Sequence, residues 1–130
     1  MAASVASFAW VFLGGGLGSA LRYGVGRAAL AWLGPNFPAG TLIVNVVGCF
    51  AIGALAEWLA LHDAGVGQDT KLFLVAGILG GFTTFSAFAL DTVVLWQRGA
   101  TGTAALYVLA SFVVSVGGLL AGMALLRGAG

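Results

Sequence analysis

Apolar residues fill four long blocks of the chain, and the polar, charged, proline and glycine residues between them come in short clusters. A helix needs ~20 mostly apolar residues to cross ~30 Å of hydrocarbon, so blocks of this length predict membrane spans. The first runs from about Val5 to Leu33 and stops at Gly34-Pro35-Asn36-Phe37-Pro38, where two prolines and a glycine disfavour further helix. The second covers residues 40–61 and is closed by the polar stretch from His62 to Asp69. The third, residues 71–97, lies between Lys71 and Arg98, and the fourth covers residues 100–127. Trp32, Trp58 and Trp96 fall near span ends and Trp10 near a start, where interfacial indoles belong. The expected architecture is an all-α integral membrane protein: one four-helix transmembrane domain over residues 1–130, with no room for an extramembrane domain.

Composition narrows the function classes. With 61% apolar and 7% charged residues the chain cannot cover a water-soluble globule, and its mean hydropathy is +1.09. A formal net charge of +1 offers no basic patch for nucleic acid, so DNA binding and soluble enzymology are excluded. The single cysteine, Cys49, lies in an apolar run, which leaves neither an internal disulfide nor a multi-cysteine metal site and argues against redox chemistry. Met1-Ala2-Ala3-Ser4 carries no basic n-region and the apolar stretch after it is too long for a cleaved signal, so the sequence reads as mature. The chain contains no carboxylate pair, no nucleophile with its base and no His-rich metal site, and His62 reads as one solvated loop histidine. It does not read as an enzyme.

Orientation is weakly encoded. Lys71 and Arg127 fall on the side shared by the N-terminus, the second loop and the C-terminus, while Arg27, Arg98 and arguably Arg22 count for the other. With so little bias a chain can insert both ways, and two inverted copies can pair about a two-fold axis in the membrane plane. The expected assembly is an antiparallel, dual-topology homodimer; a single orientation set by a partner or by other signals is the alternative. Glycine supplies 22 of 130 residues, well above the usual ~7%. Gly14/Gly18, Gly77/Gly81 and Gly118/Gly122 are each four apart and make flat stripes for close helix contact in lipid. Gly14-Gly15-Gly16 is not a nucleotide loop, because it lies inside a span with no preceding strand.

Near its midpoint the third span reads Gly80-Gly81-Phe82-Thr83-Thr84-Phe85-Ser86. Glycine weakens a helix and a threonine hydroxyl can serve freed backbone groups, so an interrupted helix is expected here; a continuous helix with a glycine contact face is the alternative. An interruption places partly negative carbonyls opposite partly positive amides, which makes ion sites without a charged side chain. Phe85 and Phe88, three apart, project from one face, and their ring edges could favour an anion or simply pack. Thr41 and Asn45 are four apart on the second span, and Asn45 is the only amide in that run. A buried amide must find partners, so it either caps the broken helix or donates to a permeating anion. Thr103, Tyr107, Ser111 and Ser115 recur every fourth residue on the last span, a slanted hydroxyl stripe that drifts ~40° per step. Such uncharged donors suit a small, strongly hydrated anion that must be partly stripped yet released. Arg22 is the deepest charge, a functional candidate that also has the option of snorkelling outward with Tyr23 and Arg27. Glu57 and Asp91, the latter about two turns past Phe85, stand within reach of water.

These motifs resemble those of the small bacterial fluoride channels of the Fluc/CrcB type over nearly the whole chain. Gly15-Gly16-Leu17-Gly18-Ser19-Ala20-Leu21-Arg22-Tyr23 is similar to the first-helix motif, with Ser19 where alanine is usual. Residues 40–50, from Gly40-Thr41 through Asn45 to Gly48-Cys49-Phe50, match the second-helix motif, and Gly80 to Phe88 match the third, the most specific. Ala87 stands for a common threonine and Asp91 for the usual glutamate, so a role that needs the longer acid is not implied. The resemblance implies passive fluoride exit across the bacterial inner membrane, the ion accumulating because neutral HF crosses and dissociates inside. It also implies an antiparallel homodimer with two pathways and a central structural sodium ion held by the carbonyls of Gly80 and Thr83. Phe85 and Phe88 would line the pathway with Asn45, Tyr107, Ser111 and Ser115, Thr41 and Ser86 beside them, and Arg22 would sit in an aqueous vestibule. A proton-coupled multidrug exporter of similar size is the rival transporter, but it needs a deep carboxylate and Glu57 is too near a span end. An accessory packing subunit would leave Asn45, the interruption and the hydroxyl stripe unexplained.

Overall fold

The computed structural model describes residues 3–62 and 65–129. Helix α1 (Val5–Leu33) starts where the Ser4 hydroxyl accepts the Ser7 N–H at 3.1 Å, and ends at Gly34, whose φ of 77° favours glycine. The intervening prolines turn the chain into α2 (Ala39–His62). The third span begins with α3 (Gln68–Lys71), widens into a π-helical segment (Leu72–Leu79) and tightens again as α4 (Gly80–Phe82). Thr83 and Thr84 are extended, at φ −85°, ψ 158° and φ −154°, ψ 121°, and the chain resumes as α5 (Phe85–Gln97). A turn through Gly99, φ 83°, leads to α6 (Thr101–Ala129).

Among the described residues, four spans are long and apolar enough to cross a membrane: Val5–Leu33, Ala39–His62, Gln68–Gln97 and Thr101–Gly128. The third therefore begins at Gln68, ahead of the expected residue 71, because the helix is already closed where the Lys71 N–H donates to the Gly67 carbonyl at 3.2 Å. Its break at Thr83–Thr84 falls near the middle of the span.

Glycine decides which helices touch. Gly14 and Gly18 on α1 face the π-helical segment and α4: a Cβ on Gly18 would run into the Ile78 carbonyl, and one on Gly77 would meet the Gly14 Cα at 2.8 Å. Two of the three glycine stripes thus pack against each other. The third is half used, since a Cβ on Gly122 would collide with the Phe50 carbonyl on α2 whereas one on Gly118 would find only ordinary contacts, the nearest at 3.5 Å. Helices α2 and α6 form the most extensive pairing, with α1 laid along the first half of the third span and α5 against α6. The buried apolar set among the described residues is small, with Leu95, Ala104 and Tyr107 at its centre, and large apolar side chains cover the outside. In water that would be untenable; in lipid the exterior needs no polar cover.

Candidate permeation site

The interruption leaves backbone groups that bilayer hydrocarbon cannot satisfy, and the break's own threonines together with side chains from two other places in the sequence serve them. The Leu79 carbonyl accepts from the Thr83 N–H at 3.1 Å and from the Thr83 hydroxyl at 3.0 Å. Asn45 of α2 holds both polar groups of Thr84: its Oδ1 accepts the Thr84 N–H at 2.8 Å and its Nδ2 donates to the Thr84 carbonyl at 3.0 Å. The Thr84 hydroxyl caps α5 by accepting the Ala87 N–H at 3.2 Å. Arg22 turns inward, its Nε donating to the Gly81 carbonyl at 3.0 Å, and so does not snorkel away from the break. This guanidinium contact joins residues 59 apart in sequence and had no signal along the chain beyond the depth of the charge.

The Asn45 amide caps the broken helix, and the pairing with one donor and one acceptor of Thr84 fixes which way round it lies. One of its two N–H groups remains for anything entering the neighbouring space.

That space is a cavity of about 380 Å³ at the break, lined by Asn45 and Cys49 from α2, Thr83 and Thr84, Phe85 and Phe88 from α5, and Val108, Ser111, Phe112, Ser115 and Val116 from α6. Among the described residues, no charged side chain is in its wall. The Phe85 and Phe88 rings lie 5.6 Å apart at 51°, and Phe85 is 79% exposed in the single chain. Ser111 and Ser115 are 7% and 9% exposed, and among the described residues neither Oγ has a hydrogen-bond partner. Buried hydroxyls without partners are rare, and a ligand or water is the usual reason.

Tyr107, Thr41, Ser86 and Thr103 are not in the wall of this cavity. Tyr107 is fully buried beside this cavity; its ring packs on Phe88 at 5.2 Å and edge-on to Phe37, and its hydroxyl donates to Asp91 at 3.0 Å. Thr41 lines two further cavities, one of about 290 Å³ with Arg22, Tyr23 and Arg27, and one of about 300 Å³ with Phe37, Asp91 and Arg98. Ser86 is exposed outside the wall, 3.4 Å from the Thr84 hydroxyl. Thr103 is half-buried and away from the cavity. The site thus brings together a cavity beside Arg22, the Asn45–Thr84 clamp and the serine-lined chamber, with the Tyr107–Asp91 pair flanking the chamber. Glu57, near the end of α2, is bound by Arg127 through two bonds of 3.2 and 3.1 Å, which ties α2 to α6.

The sodium ion that the resemblance implies would be held by the carbonyls of Gly80 and Thr83. Among the described residues no hydrogen bond reaches either one, because the Thr84 N–H that would serve Gly80 goes to Asn45 and the Ala87 N–H that would serve Thr83 goes to the Thr84 hydroxyl. Free carbonyls of this kind fit a hard cation without any acidic ligand.

Four membrane-crossing helices, one of them broken around an uncharged polar chamber, define a small multi-pass membrane protein that presents hydrogen-bond donors within the bilayer. Residues 9–123 match the family model described as CrcB-like protein, Camphor Resistance (CrcB), and the chain belongs to that family. It is similar to the fluoride-specific ion channel FluC of Agrobacterium fabrum, 52% identical over 121 residues that span 93% of this chain and 96% of the relative. The proteins of the same name from Paracoccus denitrificans (54% over 122 residues, 94% and 95%) and Novosphingobium aromaticivorans (52% over 122, 92% and 95%) are alike to the same degree.

Proposed function

We propose that this chain is a channel, not an enzyme, that carries fluoride passively out of the cell. The observation that carries the proposal is the pair of buried hydroxyls of Ser111 and Ser115, without partners among the described residues, opposite a half-engaged amide and two aromatic edges in a wall to which no described charged residue contributes. Fluoride is small and tightly hydrated; hydroxyl and N–H donors replace part of its water, and the positive ring edges of Phe85 and Phe88 add weak attraction. A lysine or arginine in the wall would bind the ion too firmly to release it. Arg22, held at the Gly81 carbonyl, stands at the vestibule beside the chamber and raises the local anion concentration there. The curated relatives at about half identity bear the same activity in their names.

The working unit in this reading is an inverted homodimer with two pathways. Weak positive-residue bias favours it, and so does the open flank of the chamber, where Phe85 stands exposed in the single chain. Two inverted copies would bring four free carbonyls together, Gly80 and Thr83 from each, around one sodium ion. When bound, the ion supplies the positive charge that holds the two breaks against each other; Asn45, Arg22 and Thr84 hold each break in shape from within its own chain.

Purified protein in liposomes loaded with fluoride or chloride provides the test. Fluoride release without chloride release is the expected result. Release of both at equal rates, or proton-coupled exchange of an organic cation in place of either, would overturn the proposal.

A further inference from the structure

Cys49 extends the face of α2 that carries Thr41 and Asn45, four residues further on, and lines the same chamber as Ser111 and Ser115. Its thiol is free and half-buried, and the backbone beside it is fixed: a Cβ on neighbouring Gly48 would strike the Thr83 methyl, so α2 sits hard against the break at this level. The chamber holds two hydroxyls that are more than nine-tenths buried and have no partner among the described residues, which marks it as a place that receives a polar guest. A thiol on that wall shares the guest's route.

We infer that Cys49 is a wall residue of the anion path, and that its thiol is a modification site for small electrophiles of the thiosulfonate class, whose attachment closes the path. The inference rests on the fluoride reading above. In the step itself the Cys49 thiol loses its proton to water and its sulfur attacks the sulfenyl sulfur of methyl methanethiosulfonate; a new S–S bond forms, the reagent's sulfur–sulfonyl bond breaks, and methanesulfinate leaves with the electron pair. The product carries a methylthio group, apolar and immobile, where Asn45 and the serines otherwise face open space.

The experiment compares wild-type protein and Cys49→Ser in liposomes, each measured against its own untreated fluoride efflux, with intact-mass analysis of the chain and a final treatment with dithiothreitol. The expected result is one methylthio adduct on the folded wild-type chain, loss of most of its efflux, recovery with dithiothreitol, and no effect of the reagent on Cys49→Ser. An adduct with unchanged efflux would overturn the inference. So would a folded protein that takes no adduct under conditions that label the unfolded chain, since the thiol would then be sealed by lipid or a second copy. If untreated protein releases no fluoride, it is the fluoride reading that fails; labelling of the folded chain then still decides whether Cys49 opens to water, and absence of label removes it from the wall.

Discussion

Replacing Asn45 with alanine removes both bonds to Thr84 at once, at 2.8 and 3.0 Å, and supplies no substitute. A buried backbone group left without a partner costs about 1–3 kcal/mol, so two such groups set a range of about 2–6 kcal/mol. The Thr84 backbone borders the chamber, where water can reach one side of it, and the low end, about 2–3 kcal/mol, is the expected loss. Since 1.4 kcal/mol is a factor of ten, that shifts the ratio of intact to collapsed break by roughly 30- to 150-fold. Asn45→Asp refines the test: a carboxylate oxygen still accepts the Thr84 N–H, but it repels the Thr84 carbonyl and places negative charge beside the anion's route. The assay is thermal unfolding in detergent together with fluoride efflux from liposomes. The alanine variant should unfold several degrees lower and lose flux; the aspartate variant should lose flux entirely. An alanine variant that matches wild type in both measurements would refute the idea that this amide holds the break.

Phe85→Ile or Phe88→Ile should cut fluoride flux while leaving assembly, read by size-exclusion chromatography, largely intact, because isoleucine keeps a bulky apolar side chain at each position and removes only the ring edge; unchanged transport in both would remove the aromatic-edge argument. Gly18→Val should abolish folded yield, since its side chain would drive into the Ile78 carbonyl, whereas Gly24→Ala, with open space around it, should express normally; equal yields would contradict the α1 packing. Reporter fusions at the C-terminus should appear on both membrane faces, and signal from one face alone would count against inverted pairing.

Much of this was legible along the chain because membrane folding leaves few polar groups to explain. The Gly80–Thr84 run marks the interruption, since no other span combines adjacent glycines and threonines at mid-depth, and Asn45 stands out as the lone amide of its run. The four-residue recurrence of Ser111 and Ser115 places both in one wall. Tyr107 shares that spacing yet presents its hydroxyl to Asp91, because the drift of the stripe carries it towards α5. What the sequence could not yield are pairings fixed only when helices lock in register: Arg22 with Gly81, Arg127 with Glu57, and the widened turns of Leu72–Leu79. Cys49 carries no signal along the chain for another reason. Judged as a redox or metal residue it has no role, and only its place beside the chamber gives it one.

The partnerless serines imply a conflict between robustness and throughput. Removing a buried hydroxyl that no protein group serves among the described residues costs the fold no internal hydrogen bond, so Ser111→Ala or Ser115→Ala should survive heating in detergent at least as well as the parent. A screen for heat-resistant variants would therefore drift towards a well-behaved protein whose chamber has turned greasy and whose ion turnover has fallen.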